Sequence, residues 1–132
     1  MKNIKKAQGR IVSLEAAEGT HINVNVFDQE LGLKGSYNLQ HTHHSLQRSK
    51  QRGISNFTIA LVVEYGKCFY KQGLQFHVMC DKNIPKWVDN SGQRNAQNTV
   101  VVLHDGDEIV TCYRGCNVMK HINRKQKYLA AA

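Results

Sequence analysis

Two stretches near the start of the chain alternate apolar and polar residues. The first is Gly9-Arg10-Ile11-Val12-Ser13-Leu14. The second is His21-Ile22-Asn23-Val24-Asn25-Val26-Phe27, with Ile22, Val24 and Val26 on one face. A period of two is that of a half-buried strand. Glu18-Gly19-Thr20 can turn the chain between them, so an N-terminal β-hairpin is predicted. Residues 28–40 are polar and contain glycine, and read as a loop.

The pattern then changes to that of helices. Thr42 is an N-cap candidate for a helix over about residues 43–52, and Gly53 is its stop. Ser55 caps a second helix over 56–65, which Gly66 closes. Phe57, Ile59, Ala60, Leu61, Val62, Val63 and Tyr65 make this second helix apolar almost all round. Such a helix belongs inside the fold. Strand-like runs follow at 67–71 and 74–80, with Gln72-Gly73 as the turn. Residues 81–98 hold Pro85, Trp87 and many polar residues, and read as a long connection. Val100-Val101-Val102-Leu103 is a buried-type strand, and Asp105-Gly106-Asp107 turns it into a partner over 108–114. Residues 117–128 predict a basic terminal helix with Met119, Ile122 and Tyr128 as its apolar stripe.

Helices grouped before strands argue for an α+β fold rather than a parallel α/β one. The expected architecture is an N-terminal hairpin, two helices on an antiparallel sheet of about four strands, and a basic C-terminal helix. Residues 1–40 would form the hairpin extension and its loop, and 41–129 the core domain.

Charge adds direction to this frame. The 132 residues carry 18 Lys and Arg against 10 Asp and Glu, a net charge of +8. Such a surface favours polyanions, and nucleic acid above all. The first helix concentrates the signal. At about 100° per residue, His44, Arg48 and Arg52 fall within about 80° of one another. Ser45, Leu46, Ser49 and Gly53 gather on a neighbouring face that can pack closely. One face would pack and the other would present an imidazole and two guanidiniums.

The remaining chemistry is sparser. Cys68, Cys80 and Cys112 sit in apolar runs and read as reduced core thiols, and Cys116 as part of a turn. The N-terminus lacks the apolar segment of a signal peptide and no run is long enough to span a membrane, so a cytoplasmic protein without membrane contact is expected. His41, His43 and His44 lie close to one another in sequence and Cys112 and Cys116 are four apart, but no Cys-x2-Cys pair accompanies them. Neither metal nor cofactor is expected. The turn accounts for Asp105 and Asp107, and packing accounts for Phe76 and Trp87. No P-loop, dinucleotide fingerprint or Ser-His-Asp order is present.

The order of motifs carries a resemblance. His44, Arg48 and Arg52-Gly53-Ile54 open it; Val100-Val101-Val102, Asp105-Gly106-Asp107 and Ile109-Val110-Thr111-Cys112-Tyr113 close it. In this, residues 44–114 resemble the small bacterial family called domain of unknown function 4258, with 81–98 as an insertion. The tail, Arg114 and then Lys120 to Tyr128, is similar to the end of BrnT-type toxins. BrnT and RelE-type toxins are compact, basic, metal-independent endoribonucleases with helices on an antiparallel sheet. The resemblance therefore implies RNA as partner, transesterification by the ribose 2′-OH, and an acidic antitoxin-like protein as a second partner. The first 40 residues share in no such likeness.

Chemistry assigns roles within that reading. His44 is the proton-transfer candidate, since imidazole titrates near neutrality. Arg48, Arg52 and Arg114 would stabilise charge on phosphate through their planar forks. Tyr113 would stack on a base or donate its hydroxyl. Lys50, Lys120, His121, Arg124 and Lys125 would bind the nucleic-acid backbone. Two rivals stand beside it. One is a non-catalytic module that uses the same face for nucleic acid or an acidic protein. The other is a homo-oligomeric assembly protein that pairs through the hairpin edge.

Overall fold

The computed structural model describes residues 11–15, 19–28 and 33–115. Strands β1 (Ile11–Glu15), β2 (His21–Asp28) and β3 (Leu33–His41) come first. Helices α1 (His43–Gln51) and α2 (Asn56–Tyr65) follow. Then come β4 (Lys67–Lys71), β5 (Leu74–Val78), α3 (Asn90–Ala96), β6 (Thr99–His104) and β7 (Glu108–Arg114). The class is α+β. The seven strands form one mixed sheet in the order β1-β2-β3-β7-β6-β5-β4.

This corrects three expectations. The sheet has seven strands, not about four. The polar stretch read as a loop is largely β3, paired from Leu33 to Gln40 with β2. Its central residues alternate, with Tyr37, Leu39 and His41 turned inward and Ser36, Asn38 and Gln40 exposed. The long connection contains a 3-10 turn, Asp81–Asn83, and helix α3, capped by Asp89 through Gly92 N–H at 2.7 Å. The expected C-terminal helix lies outside the described residues.

The N-terminal strands join the rest by a short parallel seam. Only Gln40↔Glu108 and His41↔Ile109 pair β3 with β7. The chain then turns at Thr42 into α1, which runs on beside β7. Thr42 N–H donates to Ile109 O at one end. Arg52 Nη1 donates to Cys112 O at the other, 2.7 Å away.

The core lies mainly on one face. Ile22, Val24, Leu39, Val101, Leu103, Ile109 and Cys112 of the sheet meet Ile59–Val63 of α2 and Ala96 of α3 there. Burying side chains such as Leu61 and Ile59 contributes about 1.5–3 kcal/mol each. A second cluster on the opposite face consists of sheet residues Phe76, Val78, Val100 and Val102, with Phe69, Leu74, Val110 and Tyr113 beside them. β6 is therefore buried on both faces, as its unbroken Val run requires.

Two backbone details position the helices. Val102 pairs with Thr111 and Leu103 with Ile109, so Val110 is a bulged extra residue. Past the bulge, Cys112 and Arg114 return to the face of Ile109, while Tyr113 goes with Val110 to the other. Gly66 ends α2 against β5; a Cβ there would sit 2.5 Å from Val62 O and 2.8 Å from Val78 O.

Candidate nucleic-acid interface on the first helix

α1 begins with a side-chain cap. Thr42 Oγ1 accepts from Ser45 N–H at 3.0 Å. It ends in a Schellman arrangement, with Ile54 N–H to Ser49 O at 2.9 Å and Gly53 at φ +65°. Ser45 and Ser49 are its buried residues, at 0% and 3% exposure. Their small side chains let the helix approach the sheet closely, and each hydroxyl returns to the backbone, at Thr42 O and Leu46 O. His43, His44, Gln47, Arg48, Lys50, Gln51 and Arg52 are exposed.

Beneath α1 lies a buried polar network that the sequence reading missed. His41 Nδ1 is 2.8 Å from Ser45 Oγ and Nε2 is 3.0 Å from Asn56 Oδ1. Asn56 Nδ2 in turn donates to Gly19 O at 2.9 Å. One imidazole thus ties β3, α1 and α2 to the turn before β2. Ser, His and Asn in this order are chemically a hydrolase-like set. All three are at most 3% exposed, so no substrate reaches them and the set acts as a clamp. Its sequence signal was a histidine one residue before the cap Thr42 and four before a serine destined for the buried face.

The structure splits the predicted site residues. Arg114 donates from Nε to Asn95 O, from Nη1 to Arg52 O and from Nη2 to Gly53 O. It closes the C-terminal ends of α1 and α3, where free carbonyls favour a cation. Arg52 is tied to Cys112 O. Two of the three guanidiniums expected at a phosphate are therefore spent on backbone carbonyls, although they do come together beside α1. Burial pushes the Cys112 thiol up to about 11, against the opposing pull of those two cations. Tyr113 lies on the opposite face of the sheet, and burial raises its phenol.

His44, Arg48 and Lys50 remain. Arg48 Nη1 makes one long contact, 3.4 Å to Gln51 Oε1. Among the described residues, no Lys or Arg forms a salt bridge; His104 Nδ1 lies 3.5 Å from Asp105 Oδ2 and 3.5 Å from Glu108 Oε1. The cations on α1 are thus uncompensated. Among those residues, no three His, Cys, Asp or Glu side chains converge as metal ligands, and no helix is long and apolar enough to cross a membrane. Lys120, His121, Arg124 and Lys125 lie outside the described residues. Cys68 is exposed and Cys80 partly so, which corrects their reading as core thiols; Cys112 is buried.

Comparison with known proteins finds no matching family model, no similar curated protein and no similar solved structure.

Proposed function

We propose that the protein binds RNA through the outer face of α1, with His43, His44, Arg48 and Lys50 as the contacting set. The observation that carries this is the uncompensated charge of that face on a helix whose inner side is already pinned. The net charge of +8 and the resemblance of residues 44–114 support the same partner. Binding is preferred to cleavage for a geometric reason. Arg52 and Arg114 hold carbonyls and Tyr113 is on the other face, so among the described residues only His44 and Arg48 of the expected catalytic set are not committed elsewhere in the fold.

The test is a fluorescence-anisotropy titration of a labelled single-stranded RNA in EDTA over a series of salt concentrations. Affinity should fall linearly on a logarithmic scale, with a slope of about 0.7 per neutralised phosphate. The RNA should be recovered intact on a gel. No binding at low salt would overturn the proposal. Cleavage that disappears in His44→Ala would replace it with the ribonuclease reading.

A further inference from the structure

Packing alone does not account for Trp87. It is 42% exposed, and the exposed large hydrophobic side chains among the described residues are Trp87 and Tyr70. Tyr70 carries a hydroxyl that accepts from Gln75 Nε2 at 3.2 Å. Trp87 instead rests on Tyr65, the last residue of α2, with ring centroids 6.3 Å apart and planes at 68°. An edge-on neighbour of this kind covers at most one face of the indole.

The backbone that carries Trp87 is fixed on both sides. Val88 N–H donates to Pro85 O at 3.1 Å, and Val88 O accepts from Gln93 Nε2 at 2.7 Å. Val88 is buried and Ile84 packs on the core. Gly92 lies so close that a Cβ there would sit 2.6 Å from Val88 Cγ1. A ring held in place before a ligand arrives loses little freedom on binding. Lys82, Lys86 and Arg94 are exposed around it; of the two acids in the segment, Asp89 is engaged as the cap of α3 and Asp81 is exposed.

This segment shares a layer with α1. Val88 and Ala96 join the core on the helix side of the sheet. Arg114 ties the segment to α1, with Nε on Asn95 O near the end of α3 and Nη1 on Arg52 O at the end of α1. From there α3 runs back about 10 Å, at 1.5 Å per residue, toward Trp87.

We propose that Trp87 is a stacking platform for a base of the RNA held by α1, and that this RNA is single-stranded. The inference rests on the RNA reading of α1. Every base offers a π-face to an exposed aromatic ring, and cations beside the ring take the phosphate backbone. In a duplex each base is already stacked between its neighbours, so the indole has no base face to meet.

Trp87 is the one tryptophan of the chain, so its emission reports this site alone. The full-length protein is titrated with a labelled single-stranded RNA, followed by anisotropy, and with the same RNA unlabelled, followed by tryptophan emission. Emission should fall saturably with the midpoint of the anisotropy curve. A duplex of the same sequence should bind more weakly and leave emission unchanged. Trp87→Ala should weaken single-strand binding about tenfold, and Trp87→Phe, which keeps an aromatic face, by less than about threefold. Binding by anisotropy with unchanged tryptophan emission, or a Trp87→Ala affinity equal to that of the unmodified sequence, would overturn the inference and leave the RNA contact of α1 standing. No binding by anisotropy would remove both.

Discussion

Helices α1 and α2 are neighbours in the chain, each opened by a hydroxyl cap and separated by the four residues Arg52–Ser55. They are held by different forces. α2 is buried nearly all round and fastened chiefly by apolar contact with both sheet and α3, with Asn56 on His41 and Glu64 on Tyr37 as polar ties at its two ends. α1 buries two serines and is fastened by directed bonds: His41 to Ser45, Arg52 to Cys112 O, and Arg114 to Arg52 O and Gly53 O. A helix held by apolar contact must hide its surface. A helix held by a few polar anchors can leave most of its surface in water, charged and free for a partner. The basic side chains thus divide into anchors, Arg52 and Arg114, and exposed cations, Arg48 and Lys50, a division that proximity in sequence does not reveal.

Changes that should break this contrast differ in size. Leu61→Ala in α2 should cost the most, about 2–5 kcal/mol, because it opens a cavity in the apolar core; urea unfolding measures it. An equal loss from Ser49→Ala in α1 would erase the contrast.

Alkaline pH probes the strip where α1 meets β7. The folded chain holds the Cys112 proton up to about 11, above its ordinary value of 9.0. The unfolded chain releases that proton first. Stability should therefore be unaffected below about pH 9 and fall as pH rises from 9 to 11, by about 2–3 kcal/mol from this group. The raised phenols of Tyr37 and Tyr113 act in the same direction. Cys112→Ala should flatten the fall without abolishing it, as read by denaturant midpoints across that range.

Arg114→Lys tests the anchors more directly. An ammonium cannot reproduce a fork that reaches three carbonyls, so a loss of about 1–2 kcal/mol is expected despite the retained charge. A fully stable Lys variant would mean that charge alone, not the fork, holds the end of α1. Thr42→Ala should cost least, about 1 kcal/mol, by removing the cap bond to Ser45 N–H; thermal unfolding resolves it.

The bounds of α1 and α2 were legible because cap and stop residues flank distinct patterns. Ser45 and Ser49 were legible as a packing face from helical periodicity alone. β3 was not, because its polar residues and glycine masked an alternation that only pairing with β2 stabilises. The fates of Tyr113 and Arg114 were hidden by the bulge at Val110. A strict period of two puts Ile109, Thr111 and Tyr113 on one face; the extra residue gives that face to Cys112 and Arg114 instead. Arg114 looked like a phosphate ligand because an arginine that caps carbonyls and one that grips phosphate are the same residue until the fold supplies the acceptors. The polar contacts of Gln75 with Tyr70 and His77 were invisible for a similar reason: these residues alternate with apolar ones along the two strands of the hairpin.

The central claim is that the outer face of α1 is free for RNA while its inner side maintains the fold. The most direct measurement compares Arg48→Glu/Lys50→Glu with the unmodified sequence in the same RNA anisotropy titration, with thermal midpoints read on the same samples. Affinity should fall at least about tenfold and the salt dependence should weaken, with the midpoint unchanged. Undiminished affinity in the double variant would contradict the account.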